Sequence, residues 1–438
     1  MDRGGIMESG RVRRLVIDDP KRCLFQVHRT AYTSPEILEL ERERVFDRSW
    51  VYVGHESEVR NRGDFQSRDV AGRPVILCRD NDGEIRILIN SCTHRGAQLC
   101  RQAEGNAKTF QCFYHAWTFN NRGELVGVPD AAGYGPAFNK DEMGLKSPPR
   151  ITNYRGLIFL SFDPGAEDFV TYIANAREQL DLIMDQSEAG MEIVGGTHLY
   201  SSHANWKMLV ENSLESYHVA PLHKSYIDYL RVVGNDVSRA PVRGFGRELG
   251  NGNAVEEYEG NWGRPRLRWD PRWGAEAKRE IEEHRERLVA RFGEQRALRI
   301  AEWNRNVLIY PNLMINDIMG ITIRSFYPVT PDYMEVRAWS LAPADESPVW
   351  RARRLDNFLT FLGPGGLSTP DDNEAMESCQ RGFRAAREVE WSDMSRGIVR
   401  ESQAVDEEQL RSFWRKWNLQ ISGSKRTRQG SAKVRRVA

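Results

Sequence analysis

The chain has 438 residues, with 62 Lys and Arg against 62 Asp and Glu, and 40% of its residues are hydrophobic. At roughly 150 residues per domain, this length suits two or three domains with ample chain to bury a core. The balanced charge gives no reason to expect nucleic acid or an anionic membrane as a partner, and there is no run of about 18 apolar residues to span a bilayer.

Residues 1–19 are charged and lack the apolar stretch of a secretory signal, so a cytoplasmic, reducing setting is expected. There the six cysteines, Cys23, Cys78, Cys92, Cys100, Cys112 and Cys379, are thiols or metal ligands before they are disulfides. An N-terminal helical segment, 1–49, is expected to pack with the later domain. Its helix spans 35–49, with Ser34 as N-cap, Pro35 at the first helical position, and Ile37, Leu40 and Val45 on one side.

From 50 to 162 the pattern becomes short strand-like runs. Residues 74–78 and 85–89 flank the turn Asn81-Asp82-Gly83, a second turn falls at Asn121-Arg122-Gly123, and 157–162 reads as a buried strand. This is a small all-β domain. Helical spacing returns with Phe169, Tyr172, Ile173, Leu180 and Ile183, and a helix over 206–218 is stopped by Pro221. A long charged surface helix is expected over 274–304, strands at 307–310, 321–326 and 333–339, and a helix over 348–362 ending at Gly363-Pro364-Gly365-Gly366. A last helix covers 372–388. The second domain, 163–420, is therefore α+β, an antiparallel sheet with helices segregated to one side in a helix-grip-like arrangement. Residues 421–438 form a basic tail, expected to be solvated and disordered.

Two constellations carry chemistry. Cys92-x-His94 is followed by Cys112-x-x-His115. Each half sets a thiolate and an imidazole on one β-loop, and two such loops can converge on two irons. Two Cys on one iron and two His on the other describe a Rieske 2Fe-2S cluster, whose neutral imidazoles raise its potential above that of an all-cysteine cluster. A structural zinc site also takes two Cys and two His, but its halves are more often Cys-Cys and His-His. Trp117 is placed to shield the cluster, and Cys100 fits neither pair, reading as a buried thiol.

The second constellation is Glu211-Asn212-Ser-Leu-Glu215-Ser-Tyr-His218-Val-Ala-Pro-Leu-His223. Helical spacing sets Glu211, Glu215 and His218 on one face, and His223 follows the Pro221 break. Two His and a carboxylate make the facial triad of non-haem ferrous oxygenases, which leaves open positions on the iron. The best third ligand is Asp372 in Asp371-Asp372-Asn-Glu-Ala-Met-Glu377, with Asp371 as its nearest rival. His203 is read as supporting or packing, and His28, His55, His198 and His284 show no ligand spacing.

Taken together, these residues resemble the large (α) subunit of the Rieske non-haem iron aromatic-ring-hydroxylating oxygenases, over about residues 35–390. The run from Asp371 to Glu377 is similar to the two-subunit dioxygenase branch, in which the second Asp of the pair is the ligand. The resemblance implies a Rieske cluster on Cys92, His94, Cys112 and His115, and a mononuclear iron on His218, His223 and Asp372. It assigns catalytic roles to Asn212 and to Glu215, which would bridge the cluster of one subunit to the iron of the next. The family's bridging acid is usually Asp, and its usual Pro and Gly beside the second His pair are Phe113 and Ala116 here. It further implies a head-to-tail trimer, α3 or α3β3 with a small β subunit. Because Gly244-Phe-Gly246 lacks a third glycine for a dinucleotide fingerprint, an NAD(P)H-dependent reductase, with or without a ferredoxin, would supply electrons. The implied reaction is cis-dihydroxylation of an aromatic substrate, closest to oxygenases acting on carboxylates such as p-cumate or benzoates. The alternatives are a Rieske monooxygenase or demethylase without a β subunit, a pure electron-transfer module and a zinc-stabilised binding protein. An apolar pocket is expected from Met208, Leu209, Val219, Phe358, Phe361, Leu362 and Leu367, with Arg324 as a carboxylate partner.

Overall fold

The computed structural model describes residues 14–233, 243–260, 269, 271–318 and 320–423, with the backbone alone at 7–8, 11–12 and 272. The expected basic tail lies outside the described residues except for 421–423, which close the helix Glu408–Ser422.

In the N-terminal segment the Ser34 hydroxyl accepts the N–H of Ile37 (3.2 Å), and the helix Pro35–Arg44 begins as its cap dictates. It ends earlier than expected, passing into the short 3-10 turn Phe46–Arg48. The segment is also less helical than expected. Val16–Asp19 pairs with Leu24–His28, which in turn pairs with Trp391–Asp393 from far along the chain. The fully buried Glu41 carboxylate ties this segment to the later domain. It accepts hydrogen bonds from Trp206 Nε1 (2.8 Å), Lys207 Nζ (2.6 Å) and Trp417 Nε1 (2.7 Å).

The β-block is three small antiparallel sheets. Both expected hairpins form, and by the same device. Asp80 accepts the backbone N–H groups of Asp82 (2.8 Å) and Glu84 (2.9 Å), closing the turn between Arg73–Arg79 and Ile85–Ile89. Asn120 accepts those of Arg122 (3.1 Å) and Glu124 (2.9 Å) between Thr118–Asn120 and Leu125–Gly127. A side-chain oxygen thus supplies the turn's backbone donors.

The second domain is built on a seven-stranded antiparallel sheet in the order Met191–Ser202, Tyr333–Pro343, Ile321–Thr330, Leu313–Asp317, Trp303–Ile309, Asn253–Glu259, Gly244–Gly250. Three of these strands were expected from their apolar runs. The segment Gly244–Gly250, which lacks the dinucleotide fingerprint, is an edge strand. The long charged helix forms as two, Gly274–Phe292 and Glu294–Glu302, interrupted at Gly293 with φ +76°. The helix Pro348–Thr360 is close to its expected span, whereas the last expected helix runs from Thr369 to Gly382.

The helix Trp206–Ser213 is sandwiched between this sheet and the C-terminal helix, with the Trp206 ring 6.5 Å from that of Phe326 and 5.7 Å from that of Phe413. It stops five residues short of the expected end. Leu214 caps it, and Gln409 Nε2 donates to the Leu214 carbonyl (2.9 Å), satisfying a group that the helix leaves open.

Because Glu41 and Lys207 are both fully buried, Glu41→Gln leaves an ammonium without its anion. The expected loss is about 3–5 kcal/mol, read from the denaturant midpoint. The double substitution Glu41→Gln with Lys207→Met is expected to recover most of it.

Candidate metal centres

The two cysteine–histidine halves differ in spacing but share one loop frame. Cys92 N–H donates to Ala97 O (2.8 Å) and Gly96 N–H to Cys92 O (2.8 Å). In the second loop Cys112 N–H donates to Trp117 O (2.8 Å) and Ala116 N–H to Cys112 O (2.9 Å). The fifth position of each loop is left-handed, Gly96 at φ +76° and Ala116 at φ +56°. The imidazole therefore sits at the third position of one loop and the fourth of the other.

The loops face each other. The His94 and His115 ring centroids are 4.6 Å apart, Cys92 and Cys112 are buried, and their thiols are within hydrogen-bonding reach. The backbone N–H groups of His94 and Arg95 point to the Cys92 sulfur, an arrangement that tunes a cluster's potential. Trp117 stacks on His94 at 4.7 Å, as shielding requires. His94 Nδ1 is buried with no hydrogen-bond partner, a free ring nitrogen on an imidazole that packs against that of His115. This donor set fits a Rieske cluster. Cys100 is a buried thiol that donates to Gln102 O (3.5 Å). The sequence reading missed Asn90, whose side chain accepts Leu99 N–H (3.0 Å) and Cys100 N–H (2.7 Å) and donates to Cys100 O (2.8 Å), pinning the end of the first loop.

In the second domain His218, His223 and Asp372 offer three ligand atoms within 4.8 Å of one another. Asp372 Oδ1 lies 3.4 Å from His218 Nε2 and 3.2 Å from His223 Nε2, and Asn212 Nδ2 donates to it (2.9 Å). The remote ring nitrogens are held by carboxylates. His218 Nδ1 is 2.6 Å from Glu215 Oε1, and His223 Nδ1 is 3.4 Å from Asp371 Oδ2. Asp371, the rival ligand, is therefore the partner of the imidazole's far side. Burial disfavours charge on His218, yet Asp372 and Glu215 outweigh it and lift its pKa to about 10. Burial likewise opposes charge on Asp372, but the two imidazoles hold its carboxyl well below the usual range. A divalent cation on these three atoms satisfies the same attraction in place of a proton, so the residues fit a facial-triad iron.

Glu211 is not on this face. The helix ends before Glu215, and Glu211 Oε1 instead accepts from Tyr32 Oη (2.7 Å) and Trp414 Nε1 (2.9 Å). Desolvation there lifts its pKa to about 7.

Beside the triad lies a cavity of about 650 Å³, lined by Val219, Ile227, Ile318, Phe361 and Leu362, with Arg324 and the triad on its polar side. Of the expected pocket residues, Met208, Leu209 and Phe358 do not line it. The early helix end leaves only Asn212 and Ser213 facing the cavity, while Met208 and Leu209 pack into the main core and Phe358 lies against His198 (5.2 Å). Leu367 is partly exposed away from it. His203 packs near Tyr333 (5.1 Å) and does not join the ligand set.

Residues 49–149 match the Rieske 2Fe-2S domain family, and residues 192–423 match the ring hydroxylating alpha subunit catalytic domain. The chain is 33% identical over 401 residues to the toluate 1,2-dioxygenase subunit alpha of Pseudomonas putida, covering 90% of this chain and 86% of that one. It is 34% identical over 399 residues to the 2-halobenzoate 1,2-dioxygenase large subunit of Burkholderia cepacia, covering 88% and 83%. The chain belongs to the ring-hydroxylating oxygenase alpha-subunit family. Its fold is similar to that of naphthalene 1,2-dioxygenase from Rhodococcus sp. bound to indole, with a TM-score of 0.80, 28% identity, and coverage of 92% of this chain and 95% of that one. Membership in this family implies one Rieske cluster and one mononuclear iron per alpha subunit. It is an oxidoreductase, and among the described residues no helix is long and apolar enough to cross a membrane.

Two expectations follow for this alpha subunit. An L-residue at the left-handed position of Ala116 costs about 1–2 kcal/mol, so Ala116→Gly should stabilise the chain by about 1 kcal/mol in thermal or denaturant unfolding. The Glu211 carboxyl, lifted from 4.5 to about 7, contributes stability that is complete below pH 4.5 and lost as pH rises through 7. Glu211→Gln, which stays neutral, should flatten the fall in stability between pH 5 and 8, a difference on the order of 2 kcal/mol at pH 8.

Proposed function

We propose that this chain is the terminal oxygenase component of a multicomponent dioxygenase that places both atoms of O2 on an aromatic carboxylate, giving a cis-dihydrodiol. The observation that carries the reading is the two-His, one-carboxylate set opening on an apolar cavity large enough for a substituted ring, in a chain that also holds the two-Cys, two-His loops. The curated relatives support the substrate class, since toluate, 2-halobenzoate and anthranilate are all ring-bearing carboxylates.

When bound, the cluster on Cys92, His94, Cys112 and His115 supplies electrons, and the iron on His218, His223 and Asp372 supplies a site for dioxygen beside the ring. The chain's own groups set the geometry. Glu215 holds the Nδ1–H of His218 and also accepts its backbone N–H (3.2 Å), fixing the ring through two bonds. Asn212 orients Asp372 from the same helix end, and Asp371 steadies His223. Val219, Ile318, Phe361 and Leu362 exclude water from the ring's place.

The second half of the proposal is assembly. His115 stands beside the exposed Phe113 and Tyr114, while the exposed Tyr217 stands next to the His218 loop. Aromatic side chains of this kind favour burial against another surface. The loop tip of one copy then meets the Glu215 region of its neighbour in a head-to-tail trimer, with a small β subunit, and an NAD(P)H-dependent reductase, with or without a ferredoxin, delivers electrons.

His218→Ala or Asp372→Ala should release the mononuclear iron and abolish product while the visible absorption of the cluster persists. Glu215→Gln should keep both metals but slow single-turnover product formation by at least about tenfold. Labelled O2 should add two heavy atoms to the product. A single labelled atom, together with failure of a β subunit to co-purify, would move the chain to the monooxygenase reading.

A further inference from the structure

Five arginines are buried among the described residues: Arg68, Arg305, Arg324, Arg354 and Arg411. Four face a carboxylate, Arg68 on Glu58 (2.9 Å), Arg305 on Asp317 (2.6 Å), Arg354 on Glu346 (2.8 Å) and Arg411 on Glu408 (2.9 Å). Arg324 does not. Among the described residues no carboxylate oxygen lies within 4.0 Å of it, although it is only 2% exposed. Its hydrogen bonds come from Nη2 alone, to Ser213 Oγ (3.0 Å) and Asn316 Oδ1 (2.6 Å), while Nε and Nη1 have no partner. The buried Tyr200 hydroxyl lies next to this guanidinium and brings no anion to it.

A guanidinium keeps its charge under all ordinary conditions, so a buried one without an anion is costly. The polar chain behind it supplies no anion. Asn316 Nδ2 donates to Asn306 Oδ1 (2.7 Å), and Asn306 Nδ2 donates to Glu256 Oε2 (2.8 Å), so the nearest carboxyl on this path stands two amides away. Burial lifts that carboxyl's pKa to about 8.

Arg324 lines the same cavity as the ligand set. Consecutive residues at the end of the helix Trp206–Ser213 fix the relation between them, since Asn212 donates to Asp372 and Ser213 accepts from Arg324. We infer that Arg324 is the specificity-determining residue of the cavity and that the anion it lacks is the substrate's own carboxylate, held by the guanidinium. This rests on the aromatic-carboxylate reading above and names the group that enforces it. A neutral ring of the same shape enters without meeting that charge and is bound less well. The carboxylate's position on the Arg324 side orients the ring toward the triad.

The test is calorimetric titration of the anaerobic holoenzyme with benzoate and with benzamide, its neutral isostere, so that no turnover intervenes. The wild type should bind benzoate at least about tenfold more tightly. Arg324→Met should weaken benzoate by about 100-fold and leave benzamide within about threefold. Asn316→Asp, which sets an internal carboxylate against Nη2, should weaken benzoate about tenfold without touching benzamide, and it keeps the question open to test if the Met variant does not fold. Benzoate binding unchanged in both variants, with iron content and cluster absorption intact, would overturn the role of Arg324 and leave the carboxylate reading standing. Equal affinity of the wild type for the two probes would overturn both.

Discussion

One buried oxygen organises the second domain. Asp372 Oδ1 is approached by His218, His223 and Asn212, which come from the end of one helix and the broken chain after it, while Asp372 itself comes from the start of another helix far along the sequence. Bringing a carboxylate and two imidazoles out of water is costly unless each is satisfied. The fold meets that demand by spending carboxylates on the far sides of both rings and an amide on the Asp. The early stop at Ser213 is part of the same solution. A helix continued to His218 would carry Glu215 up the same ridge as His218, whereas the break lets it turn back and hold His218 through both ring and backbone.

The cluster domain solves a parallel problem with different means. Its loops are frames of backbone hydrogen bonds, each needing a left-handed residue at the same place, and each is anchored from behind by a buried side chain or a strand pair. Asn90 does for the first loop what the pairing of Thr109–Gln111 with Thr118–Asn120 does for the second. Ligand spacing can differ between the halves because the frame, not the spacing, sets where the metals sit.

Much of this was legible in the sequence where one local rule dominates. The Ser34-Pro35 start, the Asn-Asp-Gly turn and the Cys/His halves each rest on residues within a few positions of one another. The run at 307 was readable because its strand is buried on both faces and so continuous in apolar residues, and those at 321 and 333 because apolar residues recur at or near every second position. The strand Asn253–Glu259 was not, because Glu256 and Glu257 are buried in it and satisfied by Ser216, Asn306 and Arg299, partners 40 or more residues away. Met191–Ser202, an edge strand with a largely exposed middle, carries no alternation to read. At the site, the residues that converge were visible in the sequence and the helix end was not. The two pocket residues taken from the helix body were misplaced because the stop depends on Gln409 reaching Leu214 from the last helix.

The matched loop frames still leave their two imidazoles in different surroundings. Two backbones of equal shape present imidazoles at unequal positions, so one ring lies under Trp117 and the other beside the exposed Tyr114. Symmetry in the cradle is thereby broken at its rim. Two halves made alike thus give one imidazole an indole ring for a neighbour and the other an exposed phenol, so the two edges of the cradle differ in what they can pack against.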